Sequence, residues 1–248
     1  MRQLVAEWTH DSTAIEGNTL TLGETQQILQ LGLTIRGKPL KDHEEVRGHA
    51  LAIEVIEELT ARRAVAAEHL YELHRVVMPR VPVDALNPVG AWKREYNSAN
   101  GVVDGRTVYM EYASPAATPA LMARWLEGLN RRLNVTPDRV DALEAYVWCH
   151  VVFVRIHPFF DGNGRLARLL GNLPVMRAGW PPVMVSVDHR DAYIRHLFDY
   201  QWACGRLEAS GELLPETPRL ESLRAFFAGE WERSMTLVDE TRARQTRR

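Results

Sequence analysis

Apolar residues recur along most of this chain at intervals of three and four, the spacing that gathers them on one face of a helix. Leu4, Val5, Trp8 and Ile15, with Ser12 on the same stripe, predict a first helix from Met1 to Ile15. Gly17 and Asn18 follow it as C-terminal caps. Thr21 and Glu24 form a capping-box pattern that opens a second helix to about Leu31. Beyond the loop Gly37-Lys38-Pro39, Asp42 is expected to cap a third helix with Val46, His49, Ala50, Ile53, Ile56 and Leu59 on one face. A fourth runs from Ala67 to Val77 and ends before Pro79.

Helical spacing returns from Ala120 to Leu133, and Pro137 then opens a long helix to Ile156. Leu166 to Ala178 is helical, with a kink or an early stop expected at Pro174. Asp188 is expected to cap a helix from His189 to Cys204, and a last helix spans Leu220 to Thr241. The tail from Arg242 to Arg248 reads as a solvated end. Between Pro79 and Pro119 the pattern changes. There Lys93 to Ser98 and Thr107 to Tyr112 are predicted to pair across the turn signal Asp104-Gly105. The fold class is therefore all-α, one helical domain over residues 1–248 with a small hairpin flap.

Composition narrows the function classes. A net charge of −2 gives no electrostatic case for nucleic acid. Cys149 and Cys204 form no CxxC pair, which argues against a disulfide framework or a zinc site and fits a reducing cytoplasm. The charged first 15 residues do not read as a signal peptide. The most apolar run, from Ala142 to Ile156, is short and carries Glu144, His150 and Arg155, so no membrane span is expected.

The chemistry concentrates in His157-Pro158-Phe159-Phe160-Asp161-Gly162-Asn163-Gly164-Arg165-Leu166-Ala167-Arg168. Singly these residues are ordinary. Together, Gly162 and Gly164 let successive N–H groups point one way at the start of a helix, where the dipole favours an anion. Arg165 and Arg168, three apart, are expected to face a common side and grip successive phosphates. Asp161 beside an anion loop implies a bridging cation, Mg²⁺. His157, neutral near pH 7, can accept a hydroxyl proton.

The stretch resembles the Fic signature HxFx[D/E]GNGRxxR, with every specified position filled. The resemblance implies the Fic fold and transfer of AMP from ATP to a hydroxyl of a target protein. It implies His157 as general base, Asp161 as Mg²⁺ ligand, and Gly162, Asn163 and Gly164 as the anion hole. Arg165 and Arg168 would hold the outer phosphates, and Phe159 would anchor the loop. Relatives that phosphorylate carry Lys at the position of Gly164, so glycine favours nucleotide transfer.

Ser12 to Asn18 resembles the family's inhibitory motif [S/T]xxxE[G/N], which implies that Glu16 pairs with Arg168 and keeps it from the γ-phosphate. The same resemblance divides the chain into an inhibitory helix (1–18), a flap (92–112) where Val108 and Tyr109 would hold an extended target, a catalytic helix–loop–helix (137–178) and a C-terminal extension (205–248). It also places Tyr193 and Gln201 near the base or ribose. Self-modification and a homodimer stay open. So do two other readings: removal of AMP from a modified protein with Glu16 positioning water, and a nucleotide-sensing module without catalysis.

Overall fold

The computed structural model describes residues 2–78, 88–135 and 138–246. Helices α1 (Arg2–Ile15), α2 (Leu22–Leu31), α3 (Leu40–Thr60) and α4 (Ala67–Val77) come first. A hairpin of β1 (Ser98–Val103) and β2 (Arg106–Glu111) follows, then α5 (Thr118–Leu133), α6 (Arg139–Ile156), α7 (Asn163–Leu170), α8 (Asn172–Arg177), α9 (Arg190–Cys204) and α10 (Pro218–Thr246).

Of the 18 residues of α6, 12 are buried, so the helix is apolar on all sides and takes the centre. Helices α5, α7, α8 and α10 pack around it. Asp138 caps it by accepting the Asp141 N–H at 3.0 Å. Pro137, expected to open this helix, lies outside the described residues, as does Pro79. The last turn of α6 delivers His157, and α7 starts six residues later, so the central helix aims the motif. Helix α1 lies across α7 and is held by α2, α3 and α10.

Several local expectations are corrected. Asp42 does not cap α3; Pro39 occupies that position. The Asp42 carboxylate is buried and accepts the Thr19 N–H at 2.9 Å and hydroxyl at 2.6 Å. It joins α3 to the chain leaving α1. Asp188 does not cap α9 either: Ser186 accepts the Asp188 N–H at 3.3 Å and starts a short 3₁₀ turn at Val187–His189. The expected helix from Leu166 to Ala178 is two helices, α7 and α8, divided at Gly171. Pro174 lacks the N–H that would reach the Leu170 carbonyl, so the ladder fails one turn before the proline. Helix α10 continues through the expected tail to Thr246, while Arg247 and Arg248 lie outside the described residues.

The hairpin register is also different. Asp104 and Gly105 both have positive φ (50° and 73°), the two-residue turn that matches strand twist. Such a turn fixes Val103 opposite Arg106 and Ser98 opposite Glu111, so β1 begins where the expected strand ended. Lys93 is thereby released from pairing, and the side chains of Lys93 and Asn97 turn to the motif loop. Gly101 lets the flap rest on α9: a Cβ there would lie 2.2 Å from the Phe198 ring.

A second core cluster joins α6, α9 and α10 through Tyr146, Tyr193 and Phe227. His150 is buried among these rings, its Nε2 2.9 Å from the Tyr193 hydroxyl. Its Nδ1 has no partner among the described residues. Burial, then the Arg168 charge, pulls its pKa down to about 3.

Two stability outcomes follow. Asp42→Ala removes the charged acceptor of the Thr19 N–H and hydroxyl and is expected to cost about 1–2 kcal/mol in urea unfolding. His150 titrates near 6.5 when unfolded and far lower when folded. Its contribution is whole above pH 6.5 and is lost as pH falls towards 3. His150→Gln should therefore flatten the acid side of the stability curve by up to about 1.4 kcal/mol per pH unit, read by urea unfolding from pH 6.5 to about 4.5.

Candidate active site

The motif loop begins as a helix end. The His157 N–H closes the last turn on Phe153 O at 2.9 Å, and His157 itself is left-handed, with φ 53°. That conformation is uncommon for a side-chain-bearing residue and needs support from outside the loop. The imidazole stacks on Tyr112, with ring centroids 3.8 Å apart and planes at 9°. Its Nδ1 lies 3.3 Å from Val154 O. A carbonyl can only accept, so Nδ1 carries the proton and Nε2 is left as the acceptor. Burial, then the neighbouring Lys93 charge, lowers its pKa far below the ordinary imidazole range, so the ring is neutral.

Phe159 is fully buried and anchors the loop as expected. It stacks on His74 at 4.0 Å and meets Trp92 at 5.0 Å. Asn163 closes a ring around it: Oδ1 accepts the Phe159 N–H at 2.9 Å and Nδ2 donates to Phe159 O at 2.7 Å. The Asn163 side chain is thus a staple; what it can offer an anion is its backbone N–H. Gly162 turns left-handed, φ 76°, immediately before α7. A Cβ there would meet Met78 Sδ at 2.9 Å. In the first turn of α7 the N–H groups of Asn163, Gly164 and Arg165 have no intrahelical acceptor, as at any helix start.

Asp161 stands at this helix start with 60% of its side chain exposed. Its Oδ1 accepts the Gly162 N–H at 2.6 Å, and Oδ2 lies 3.6 Å from Arg165. No cluster of three or more His, Cys, Asp or Glu poised for a metal occurs among the described residues. The site can therefore offer one open carboxylate. That donor set suits Mg²⁺, which keeps several waters and takes its other ligands from phosphates.

The two arginines are both buried but do not share a partner, contrary to the expectation of a common side. Arg165 turns towards α3 and α4, 3.5 Å from Glu45 and 3.4 Å from Val77 O. Arg168 turns towards α1 and α9. Its Nε donates to Ser12 Oγ at 3.0 Å, and one terminal nitrogen donates to Ser12 O at 2.7 Å and Glu16 Oε1 at 2.8 Å. Its other terminal nitrogen reaches the Tyr193 hydroxyl at 3.4 Å. Burial works against the charge, but Tyr193 and Glu16 outweigh it and raise the Arg168 pKa. Glu16 also lies against the motif backbone: a Cβ on Gly164 would be 2.3 Å from Glu16 Oε1.

The structure places Tyr193 in the core beneath Arg168, 1% exposed, rather than on an open face. Gln201 is buried too, with Oε1 accepting from Arg155 at 3.2 Å and Nε2 donating to Gly205 O at 3.4 Å. Val108 and Tyr109 lie on β2; Tyr109 is exposed and Val108 half-buried. Four residues that the sequence reading passed over belong to this region. His74 links the Gly90 N–H (2.8 Å) to Asp161 O (3.1 Å). Glu45 partners Arg165, while Lys93 and Asn97 bind the loop carbonyls. A signal existed for Glu45: it lies on the apolar stripe of α3, one residue before Val46, where a charge needs a partner.

A model of the Fic/DOC family matches residues 64–175. The chain is 33% identical over 204 residues to Protein adenylyltransferase fic-1 of Caenorhabditis elegans, covering 79% of this chain and 37% of that protein. It is 34% identical over 190 residues to Protein adenylyltransferase Fic of Drosophila yakuba, covering 76% and 35%. It thus spans about a third of the length of these curated relatives. A Fic domain containing signaling protein from Bacteroides thetaiotaomicron superposes with a TM-score of 0.76 at 29% identity, covering 92% of this chain and 84% of that one. Fic-1 from C. elegans superposes with a TM-score of 0.70 at 27% identity, covering 94% and 63%. With the motif complete and the helical frame shared, residues 64–175 match the Fic/DOC family, and the similarity to Fic proteins extends over most of the chain.

Proposed function

We propose that this chain transfers AMP from ATP to a hydroxyl side chain of a target protein, and that Glu16 holds the reaction off. The observation that carries the transfer is a neutral imidazole, its Nδ1 spent on Val154 O and its Nε2 left to accept, six residues before a helix start that carries two buried arginines. In that geometry the target hydroxyl oxygen attacks the α-phosphorus and pyrophosphate leaves. His157 Nε2 takes the hydroxyl proton. The N–H groups of Asn163, Gly164 and Arg165 stabilise charge on the phosphates, and the two guanidinium groups hold the outer ones. Asp161 would hold Mg²⁺, which neutralises phosphate charge when bound. The flap edge at Val108 and Tyr109 would align the target as an added strand.

Glu16 supports the restraint because its carboxylate occupies Arg168 and lies over Gly164 at the same time. A γ-phosphate seeking Arg168 meets a like charge there. The side chain keeps 36% exposure, so the carboxylate can swing out without unfolding α1. The same exposure supports a second reading, in which Glu16 activates a water that removes AMP from a modified protein.

With labelled ATP, Glu16→Gly is expected to raise AMP transfer at least about tenfold over the wild-type chain. Adding His157→Ala should lower it again by about 100-fold or more. Intact-mass analysis would show the gain of one AMP on the target or on the chain itself. A folded Glu16→Gly variant no more active than wild type would remove the restraint. Release of label from a premodified target by the wild-type chain alone would favour the reverse reaction.

A further inference from the structure

Four consecutive carbonyls, those of residues 156–159, accept hydrogen bonds from two residues of the segment that leads into the hairpin. Lys93 Nζ donates to Ile156 O at 3.2 Å and the Lys93 N–H to Pro158 O at 2.8 Å. Asn97 Nδ2 donates to His157 O at 3.2 Å and Phe159 O at 2.8 Å. The two side chains are joined, Lys93 Nζ donating to Asn97 Oδ1 at 2.7 Å. Asn97 O in turn accepts the Tyr112 N–H at 3.1 Å, and Tyr112 is the ring stacked on His157. We propose that Lys93 and Asn97 are positioning residues for the transfer reaction, a clamp that fixes the backbone on both sides of His157 and so sets the direction of its imidazole. This rests on the reading of His157 as the base.

Neither residue touches the reacting groups in this arrangement; both act through the loop. The clamp answers a specific strain. His157 is left-handed and carries a side chain, so the turn it makes is held by its surroundings and not by its own preference. The helix end before it leaves carbonyls without intrahelical donors. Lys93 fills one of them with a cation at the negative end of the α6 dipole, which helps to offset burying an ammonium at 3% exposure. Burial pulls the Lys93 pKa down to about 7. A neutral donor could make the same hydrogen bond. The charge adds a second effect, since it disfavours protonation of the neighbouring imidazole.

The test uses the full chain in the Glu16→Gly background with labelled ATP. Asn97→Ala and Lys93→Met are each expected to lower kcat by about 10-fold to 100-fold. KM for ATP should stay within about twofold, because the phosphate-binding turn is left in place. Lys93→Met should also move the acid limb of the pH–kcat profile to higher pH, and Lys93→Arg should keep it in place. Amide hydrogen exchange at residues 157 and 159–162 should quicken in both Asn97→Ala and Lys93→Met, with exchange in α3 unchanged. Unaltered kcat in folded variants overturns the clamp, and so does a kcat loss without faster exchange in the loop. Should the Glu16→Gly chain itself transfer no AMP, the adenylyl reading fails on its own. Exchange then decides the clamp alone: faster exchange in the loop sustains it and unchanged rates overturn it.

Discussion

The arrangement depends on one buried guanidinium. Arg168 is 1% exposed, and a charge at that depth must be fully partnered or it costs several kcal/mol. Ser12, Glu16 and Tyr193 meet that requirement, and they come from α1 and α9, elements that the family model's residues 64–175 leave out. The position of α1 across α7 follows from this. On the proposed reading, Glu16 swinging away would leave Arg168 without its anion in a place where water is scarce, and a phosphate arriving there would replace a partner, so restraint and binding would be two occupancies of the same buried charge.

The second constraint is the bend after α6. A helix that is apolar on every side has to run through the core, and its end must then turn sharply for α7 to begin. His157 takes the left-handed conformation at that corner, Gly162 takes it at the next, and Phe159 is driven inward between them. Polar groups around the bend find partners there: Asn163 on Phe159, His74 on Asp161, Lys93 and Asn97 on the carbonyls. What remains open is the chemistry: one imidazole nitrogen, one carboxylate and the first N–H groups of α7.

The helices and the motif were legible because both are written in short-range spacing. The capping box at Thr21 and Glu24 and the pairing of Glu16 with Arg168 appear as read, and so does the stripe of α3 except that Ala52, not Ala50, is buried on it. The misreadings have a common physical origin in choices that tertiary contacts make. Asp42 has the composition of a cap, yet Thr19 claims it from 23 residues away. The strand expected from Lys93 yields to a tight turn at Asp104-Gly105 that sets the register farther on. Lys93, Asn97 and His74 stayed hidden because each is one polar residue in a segment without a pattern of its own, and Glu45, though a charge on an apolar stripe, did not name its partner. Only the folded chain brings them to the motif.

The two motif arginines also differ in a way that spacing could not reveal. Arg165 faces Glu45, which is 6% exposed on α3 and further held by Asn18 at 3.0 Å, so its partner is fixed. That contact is long, 3.5 Å, and Arg165 Nε has no partner among the described residues. Arg168 faces Glu16, near the end of α1, where the partner is close and half-exposed. One guanidinium is therefore held in place but under-satisfied, and the other is satisfied by a carboxylate that can leave. On the proposed reading, Arg165 keeps one donor unspent while Arg168 would become available only at the expense of Glu16, so the restraint would act at one end of the phosphate site. For that reason removing the Glu16 carboxylate is expected to release the reaction without dismantling the pocket.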